Sequence, residues 1–144
     1  TKRYLALLSG RIEQAGWRAD APLNKNTLRS GERVVRVDPA GKPASTRFRV
    51  IQRFADTTLV EAVLETGRTH QIRVHAAHNA TPIVGDPKYG EQAVNLRFRG
   101  LGLRRLYLHA ASLQFDWPEE GQSLRVEAPL PPDLQSPLEN LTLT

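Results

Sequence analysis

The nine residues Gly67-Arg68-Thr69-His70-Gln71-Ile72-Arg73-Val74-His75 place two arginines and two histidines in one short window, with His78 three positions further on. Strand-like sequence ends at Leu64 just before it, and helix-compatible sequence runs on through Ala76 and Ala77. The unpaired N–H groups and the dipole at a helix start favour negative charge, and arginines added there supply forked donors. The expected client is therefore a phosphate or a carboxylate. On a helix beginning near Thr69, Arg73 shares a face with His70 and Ala77 while Ile72 and Val74 enter the core. A guanidinium half-buried in this way needs a carboxylate partner.

The elements that must hold this window are mostly strands. Period-two alternation and β-branched residues predict strands near Tyr4–Ile12, Arg33–Val37, Thr46–Phe54, Thr58–Leu64, Leu106–Phe115 and Leu124–Ala128. Asp38-Pro39-Ala40-Gly41-Lys42-Pro43 reads as a tight turn, and Ala55-Asp56 as a hairpin connection. A helix fits from Thr69, as cap, to Asn79, with Pro82 just beyond its end. A shorter one follows Pro131-Pro132-Asp133 and ends near Asn140. The pattern predicts an α+β fold: a mixed, mostly antiparallel sheet with few helices, one of them packed on a face. Residues 95–102 carry glycines, arginines and one aromatic, and read as a mobile loop. Arg97 and Arg99 there would contact RNA with Phe98 stacked on a base; the plainer reading tucks Phe98 into the core.

At 144 residues, 40% hydrophobic and 24% charged, the chain is long enough for one domain with a single core. No apolar run is long enough to span a bilayer and the N-terminus lacks the tripartite pattern of a signal peptide, so no membrane role and a cytoplasmic location are expected. With no cysteine, disulfides, thiolate metal sites and thiol nucleophiles are excluded. The absence of methionine, and a chain opening directly on strand-like Arg3-Tyr4-Leu5-Ala6-Leu7-Leu8, lead to the expectation that residues 1–144 are the C-terminal part of a longer domain. The first strand is then expected to expose an unpaired edge. Charge is uneven: +7 over residues 1–50, +1 over 51–100 and −3 over 101–144. A basic leading third suits a polyanion, although charge runs are as often solvated faces.

The 67–75 window closely resembles the third motif of the RluA family of RNA pseudouridine synthases. Other pieces agree in order: Lys2-Arg3-Tyr4-Leu5-Ala6-Leu7 resembles the family's tyrosine-bearing strand, and Pro82-Ile83-Val84-Gly85-Asp86 with Tyr89-Gly90 resembles the turn after motif three. Leu108-His109-Ala110-Ala111 is similar to its late leucine strand. Matches at Pro22-Leu23, Ser30-Gly31-Glu32-Arg33 and Gly41-Lys42-Pro43 point to the C-type members that modify large-subunit ribosomal RNA.

That resemblance implies isomerisation of specific uridines to pseudouridine, with no metal or organic cofactor. It implies that Arg73 pairs with the catalytic aspartate, that Tyr4 lies beside the target base, and that Leu108 packs by the active site. The aspartate's own motif, of the form His-Arg-Leu-Asp, is absent from these residues, so the nucleophile is expected upstream and the isolated chain inactive. Expected partners are ribosomal RNA and the upstream half of the same catalytic domain, in an enzyme that is otherwise a monomer.

Plainer readings stand beside each residue. A lone arginine is usually on the surface, a tyrosine among strand leucines usually fills core, and Leu108 would sit in a core strand under either view. His70, His75 and His78 invite a metal, yet His70 and His75 lie nearly opposite on a helix and no cysteine or helix-phased carboxylate completes a set. His70 beside Arg68 is better read as a phosphate contact, and Asp86 as a turn or loop-anchoring carboxylate. No phosphate-binding glycine loop, dinucleotide fingerprint or nucleophile elbow is present. The alternative from another class is a non-catalytic RNA-binding module of the same fold.

Overall fold

The computed structural model describes residues 2–68, 70–117, 122–139 and 141, with the side chains of 113–117 and 122–126 outside the description. Its elements are β1 (Lys2–Ser9), β2 (Gly16–Asp20), β3 (Leu23–Thr27), β4 (Arg33–Val37), β5 (Ser45–Arg53), β6 (Thr57–Leu64), α1 (Gln71–His78), α2 (Gln92–Gly100), β7 (Leu108–Trp117), β8 (Gln122–Glu127) and α3 (Pro132–Glu139). Six strands form one sheet in the order β2-β5-β6-β1-β7-β8, and β3 and β4 make a separate two-stranded hairpin. Every described strand pair is antiparallel. The fold is thus α+β, an antiparallel sheet with three short helices, as the alternation implied.

Register explains which side chains meet. Phe48 lies opposite Ala62, Ala62 opposite Tyr4, and Tyr4 opposite Ala110. Since side chains alternate faces along each strand, Thr46, Leu64, Ala6 and Leu108 share that face. Its inner part is buried: Ala6, Leu8, Phe48, Val60 and Ala62 belong to the main core, where Trp17 stacks on Phe48 with ring centroids 4.9 Å apart. The opposite face of the same strand ends is charged. Arg3 and Arg49 pair with Glu61 at 3.0 and 3.3 Å, and Arg18 pairs with Glu65 at 3.2 Å. A period of two therefore separates packed from ionic positions at these strand ends, while further along Leu7 and Leu59 bury the second face as well.

Several expectations change. Gly10, at φ +107°, ends β1 at Ser9, short of the expected Ile12. β1 is not an edge strand: it lies between β6 and β1's other neighbour β7, and the edges are β2 and β8. Later strands, β6 and β7, close on both sides of it. β2 and β3 were not anticipated, since Gly-Trp-Arg-Ala-Asp and Leu-Asn-Lys-Asn-Thr carry little β-branched or alternating apolar character. Residues 95–102, expected as a mobile loop, instead belong largely to α2, and the fully buried Phe98 anchors that helix in the core. The turn at 38–41 and the hairpin at Ala55-Asp56 form as expected, with Gly41 N–H donating to Asp38 O at 2.8 Å and Phe54 N–H to Thr57 O at 2.8 Å. Thr69 as helix cap and Asn140 as the end of the last helix fall outside the described residues. The cap position of α1 is His70, in a left-handed conformation at φ 53°.

Candidate active site

α1 is eight residues long and buries most of its circumference: Gln71, Ile72, Val74, His75 and Ala76 are all buried. Ile72 enters the main core and Val74 a second cluster with Leu23, Val35 and Ala44. So short a helix is held by packing and side-chain bonds rather than by propensity. Gln71 is central to this. Its Oε1 accepts from the Thr66 hydroxyl at 2.6 Å and from Arg68 N–H at 3.0 Å, while its Nε2 donates to Ser45 O at 2.7 Å and Thr46 Oγ1 at 2.9 Å. One buried amide thereby stitches the loop before α1 to the start of β5.

Thr46 then sets the state of His75. With its oxygen receiving the Gln71 donor, its hydrogen is directed to His75 Nδ1 at 2.8 Å, and Nε2–H donates to Ala21 O at 2.9 Å. Burial lowers the pKa of His75, as does His78, against raising effects from Ala21 and Asp20. This is a neutral imidazole committed to joining α1 to the β2–β3 connection, not a metal ligand.

Arg73 projects from the remaining side of α1. Its Nε and Nη2 donate to Asp86 Oδ2 and Oδ1 at 2.9 and 2.8 Å, a bidentate pair in which the arginine side chain is 16% exposed and the aspartate 0%. Asp86 Oδ1 also accepts N–H bonds from Lys88 at 2.9 Å and Tyr89 at 3.1 Å. Burial pushes the Asp86 carboxyl up. The Arg73 hydrogen bonds, the Tyr89 and Lys88 amides and the guanidinium charge outweigh it, and the group titrates below its ordinary value. The carboxylate that Arg73 requires is thus supplied within the chain, and Asp86 is a loop anchor that is also an ion-pair partner.

Tyr89 joins this pair to the rest of the loop. Its ring lies against the guanidinium, with Arg73 Cζ 5.1 Å from the centroid. Its hydroxyl accepts Val35 N–H at 2.9 Å, which leaves its hydrogen for His70 Nδ1 at 2.9 Å. Burial lowers the His70 pKa, and Arg73, Lys88 and Arg33 add to that against Asp86. His70 is therefore neutral with its proton on Nε2, which suits a hydrogen-bond donor better than a charged phosphate clamp.

These groups face one cleft of about 160 Å³, lined by Tyr4, Leu64, Arg68, His70, Gln71, Ile72, Arg73 and Leu108. Tyr4 and Leu108 reach it as diagonal neighbours on adjacent strands, because Tyr4 lies opposite Ala110 and Leu108 is two residues from Ala110. Tyr4, Arg73 and Leu108, far apart in the chain, thus converge on one concave surface, as do Arg68 and His70. Arg68 is exposed, and its Nε donates to Pro43 O at 3.1 Å. Arg97 and Arg99 are not brought to this cleft. Arg97 pairs with Asp56 at the β5–β6 turn, about 25 Å along β6 from Leu64. Arg99 lines a separate groove with Gly85, Arg104 and Arg105.

The antiparallel sheet thus brings a tyrosine and a leucine from neighbouring strands to one cleft with a helix-borne arginine. The chain belongs to the RNA pseudouridylate synthase family, whose model matches residues 1–78. It is 50% identical over 129 residues to "Ribosomal large subunit pseudouridine synthase C" of Yersinia pestis, covering 90% of this chain and 40% of that protein. To the protein of the same name from Escherichia coli (strain K12) it is 47% identical over 142 residues, covering 97% and 44%. The chain thus spans about two-fifths of the length of the curated relatives it matches. Among solved structures it superposes on human RNA Pseudouridylate Synthase Domain Containing 1 with a TM-score of 0.79 at 28% identity, covering all of this chain and 60% of that one.

Sequence reasoning missed Gln71, Tyr89 and Lys88 as parts of the site's frame. Gln71 and Tyr89 stood inside quoted motifs, but nothing in their spacing shows that one bonds backward to β5 and the other across to β4. Asp86 was noticed as an anchor; its pairing with Arg73, thirteen residues away, depends on a loop path that no periodicity encodes.

Proposed function

We propose that this chain forms one side of the active site of a pseudouridine synthase acting on large-subunit ribosomal RNA. The observation that carries the reading is the convergence of Tyr4, Arg73 and Leu108 on one cleft. In the reaction the uridine N-glycosidic bond breaks, the base turns, and it is rejoined through carbon 5, which loses its proton. The uridine leaves its stack to reach the cleft, so cations hold the backbone while the base is enclosed. Arg68 at the rim and the exposed Lys25, Arg29, Arg33 and Arg36 on the β3–β4 hairpin are suited to phosphates. Leu108 and Leu64 form the apolar wall, Tyr4 lies beside the base, and Arg73 orients the catalytic carboxylate.

That carboxylate is supplied by polypeptide upstream of residue 1, so the chain alone is inactive. Arg97 and Arg99 serve as outlying RNA contacts, remote from the chemistry. The enzyme works in the cytoplasm, on ribosomal RNA, as a monomer. Substitution in the chain assembled with its upstream segment tests the roles. Arg73→Lys keeps the charge and loses the fork, so turnover should fall by about 100-fold or more while RNA affinity stays within a few-fold. Tyr4→Phe should behave likewise. Near-normal turnover in both would remove the assigned roles, and an RNA-binding protein without turnover at all would be the non-catalytic module.

A further inference from the structure

We propose that Asp86 is a positioning residue, which holds one edge of the Arg73 guanidinium so that the other edge stays turned to the cleft for a second carboxylate. The inference rests on the synthase reading above and gives it a mechanical part.

A guanidinium carries five N–H groups in a fixed plane. Asp86 takes Nε–H and one hydrogen of Nη2. Nη1, and the second hydrogen of Nη2, meet no acceptor among the described residues, and together they form another forked edge. Arg73 lines the cleft, while Asp86 is fully buried behind it and is not among the cleft's lining residues. Asp86 therefore does not itself line that cleft, and it bears on the cleft through Arg73.

The frame around Asp86 leaves it little freedom. Its carboxylate accepts two backbone N–H bonds besides the two from Arg73. Its own carbonyl accepts from Asn95 Nδ2 at 2.9 Å, and Asn95 Oδ1 accepts Gly85 N–H at 2.7 Å, so a helix side chain brackets the residue. Gly90 packs so closely that a Cβ there would lie 2.4 Å from Asp86 O. On the other side Tyr89 covers the guanidinium and is bonded to Val35 and His70, and Lys88 donates to Arg33 O at 2.6 Å. The loop is thus tied to the β3–β4 hairpin and to α2 at once. A fork held this way presents its free edge in one orientation, whereas an arginine on a flexible stem would lose rotamer freedom each time it engaged a second carboxylate.

The test uses Asp86→Asn and Asp86→Glu. In the chain itself, the Arg73 Nε–H resonance in ¹⁵N NMR should exchange slowly with water, and should lose that protection in Asp86→Asn. In the chain assembled with its upstream segment, single-turnover tritium release from carbon-5-labelled uridine should fall about 10- to 100-fold per folded molecule in Asp86→Asn. RNA affinity should stay within about threefold, and Asp86→Glu should recover part of the rate because the carboxylate returns. Unchanged turnover per folded molecule, a loss of RNA affinity matching the loss of rate, or an unprotected Arg73 Nε–H in the wild type would each overturn the proposal. If the unsubstituted assembly releases no tritium although Arg73 is protected, the synthase reading itself has failed, and the positioning role falls with it.

Discussion

The buried ion pair of Arg73 and Asp86 and the neutral imidazoles of His70 and His75 make the protein's stability depend on pH with a definite sign. Both histidines have folded-state pKa values below their ordinary value. A depressed base binds its proton more weakly folded than unfolded, so its stabilising contribution is complete above about pH 6.5 and is lost as pH falls through the folded value. Asp86 is likewise lowered, so its contribution holds above about pH 4 and is lost as pH falls further. Urea midpoints should therefore be flat above about pH 7, decline below 6.5, and decline again below 4. Asp86→Asn should cost about 3 kcal/mol at neutral pH, by leaving Arg73 without its carboxylate, and should flatten the acid-side decline while sparing the first. A midpoint that rises on acidification from pH 7 to 5 would contradict the assigned protonation states.

At the scale of elements, the strands that were legible are the ones rich in apolar and β-branched residues. β5 alternates, with buried Thr46 and Phe48 against exposed Arg47 and Arg49, whereas β1 and β6 bury consecutive runs at Ala6–Ser9 and Thr57–Val60; the motif window falls on α1 with Ile72 and Val74 inward, as helical phasing required. β2 and β3 were not legible, because one is an edge strand and the other half of an outlying hairpin, and little of either is buried. α2 was misread for a related reason: Asn95, Gly100 and Gly102 are loop-like residues, and its one decisive feature is the burial of Phe98. A helix anchored by one aromatic should be sensitive to it. Phe98→Ala should cost about 3–5 kcal/mol by urea unfolding, since a fully buried ring is removed from the core. A cost below 1 kcal/mol, with RNA affinity reduced instead, would restore the loop reading in which Phe98 stacks on a base.

For the whole molecule, the sheet order resolves what the sequence alone left open about β1. The strand that bears Tyr4 is central, paired to β6 through Tyr4 and Ala62 and to β7 through Tyr4 and Ala110, so the cleft is built into the middle of the sheet rather than at a loose edge. Any further polypeptide that completes the site must therefore approach over a face or along the edges β2 and β8. The Tyr4, Arg73 and Leu108 side of the site was legible only through the motifs; their convergence depends on the register that sets Tyr4 opposite Ala110 and Ala6 opposite Leu108, which no local pattern reveals. In the proposed enzyme this chain supplies that side and an upstream segment supplies the reacting carboxylate. The decisive measurement is tritium release from carbon-5-labelled uridine in large-subunit ribosomal RNA, made for the chain, for the upstream segment and for their assembled mixture. Silence from each part alone and release from the mixture is the expected result; release by the chain alone, or silence from a mixture shown to have assembled, would contradict it.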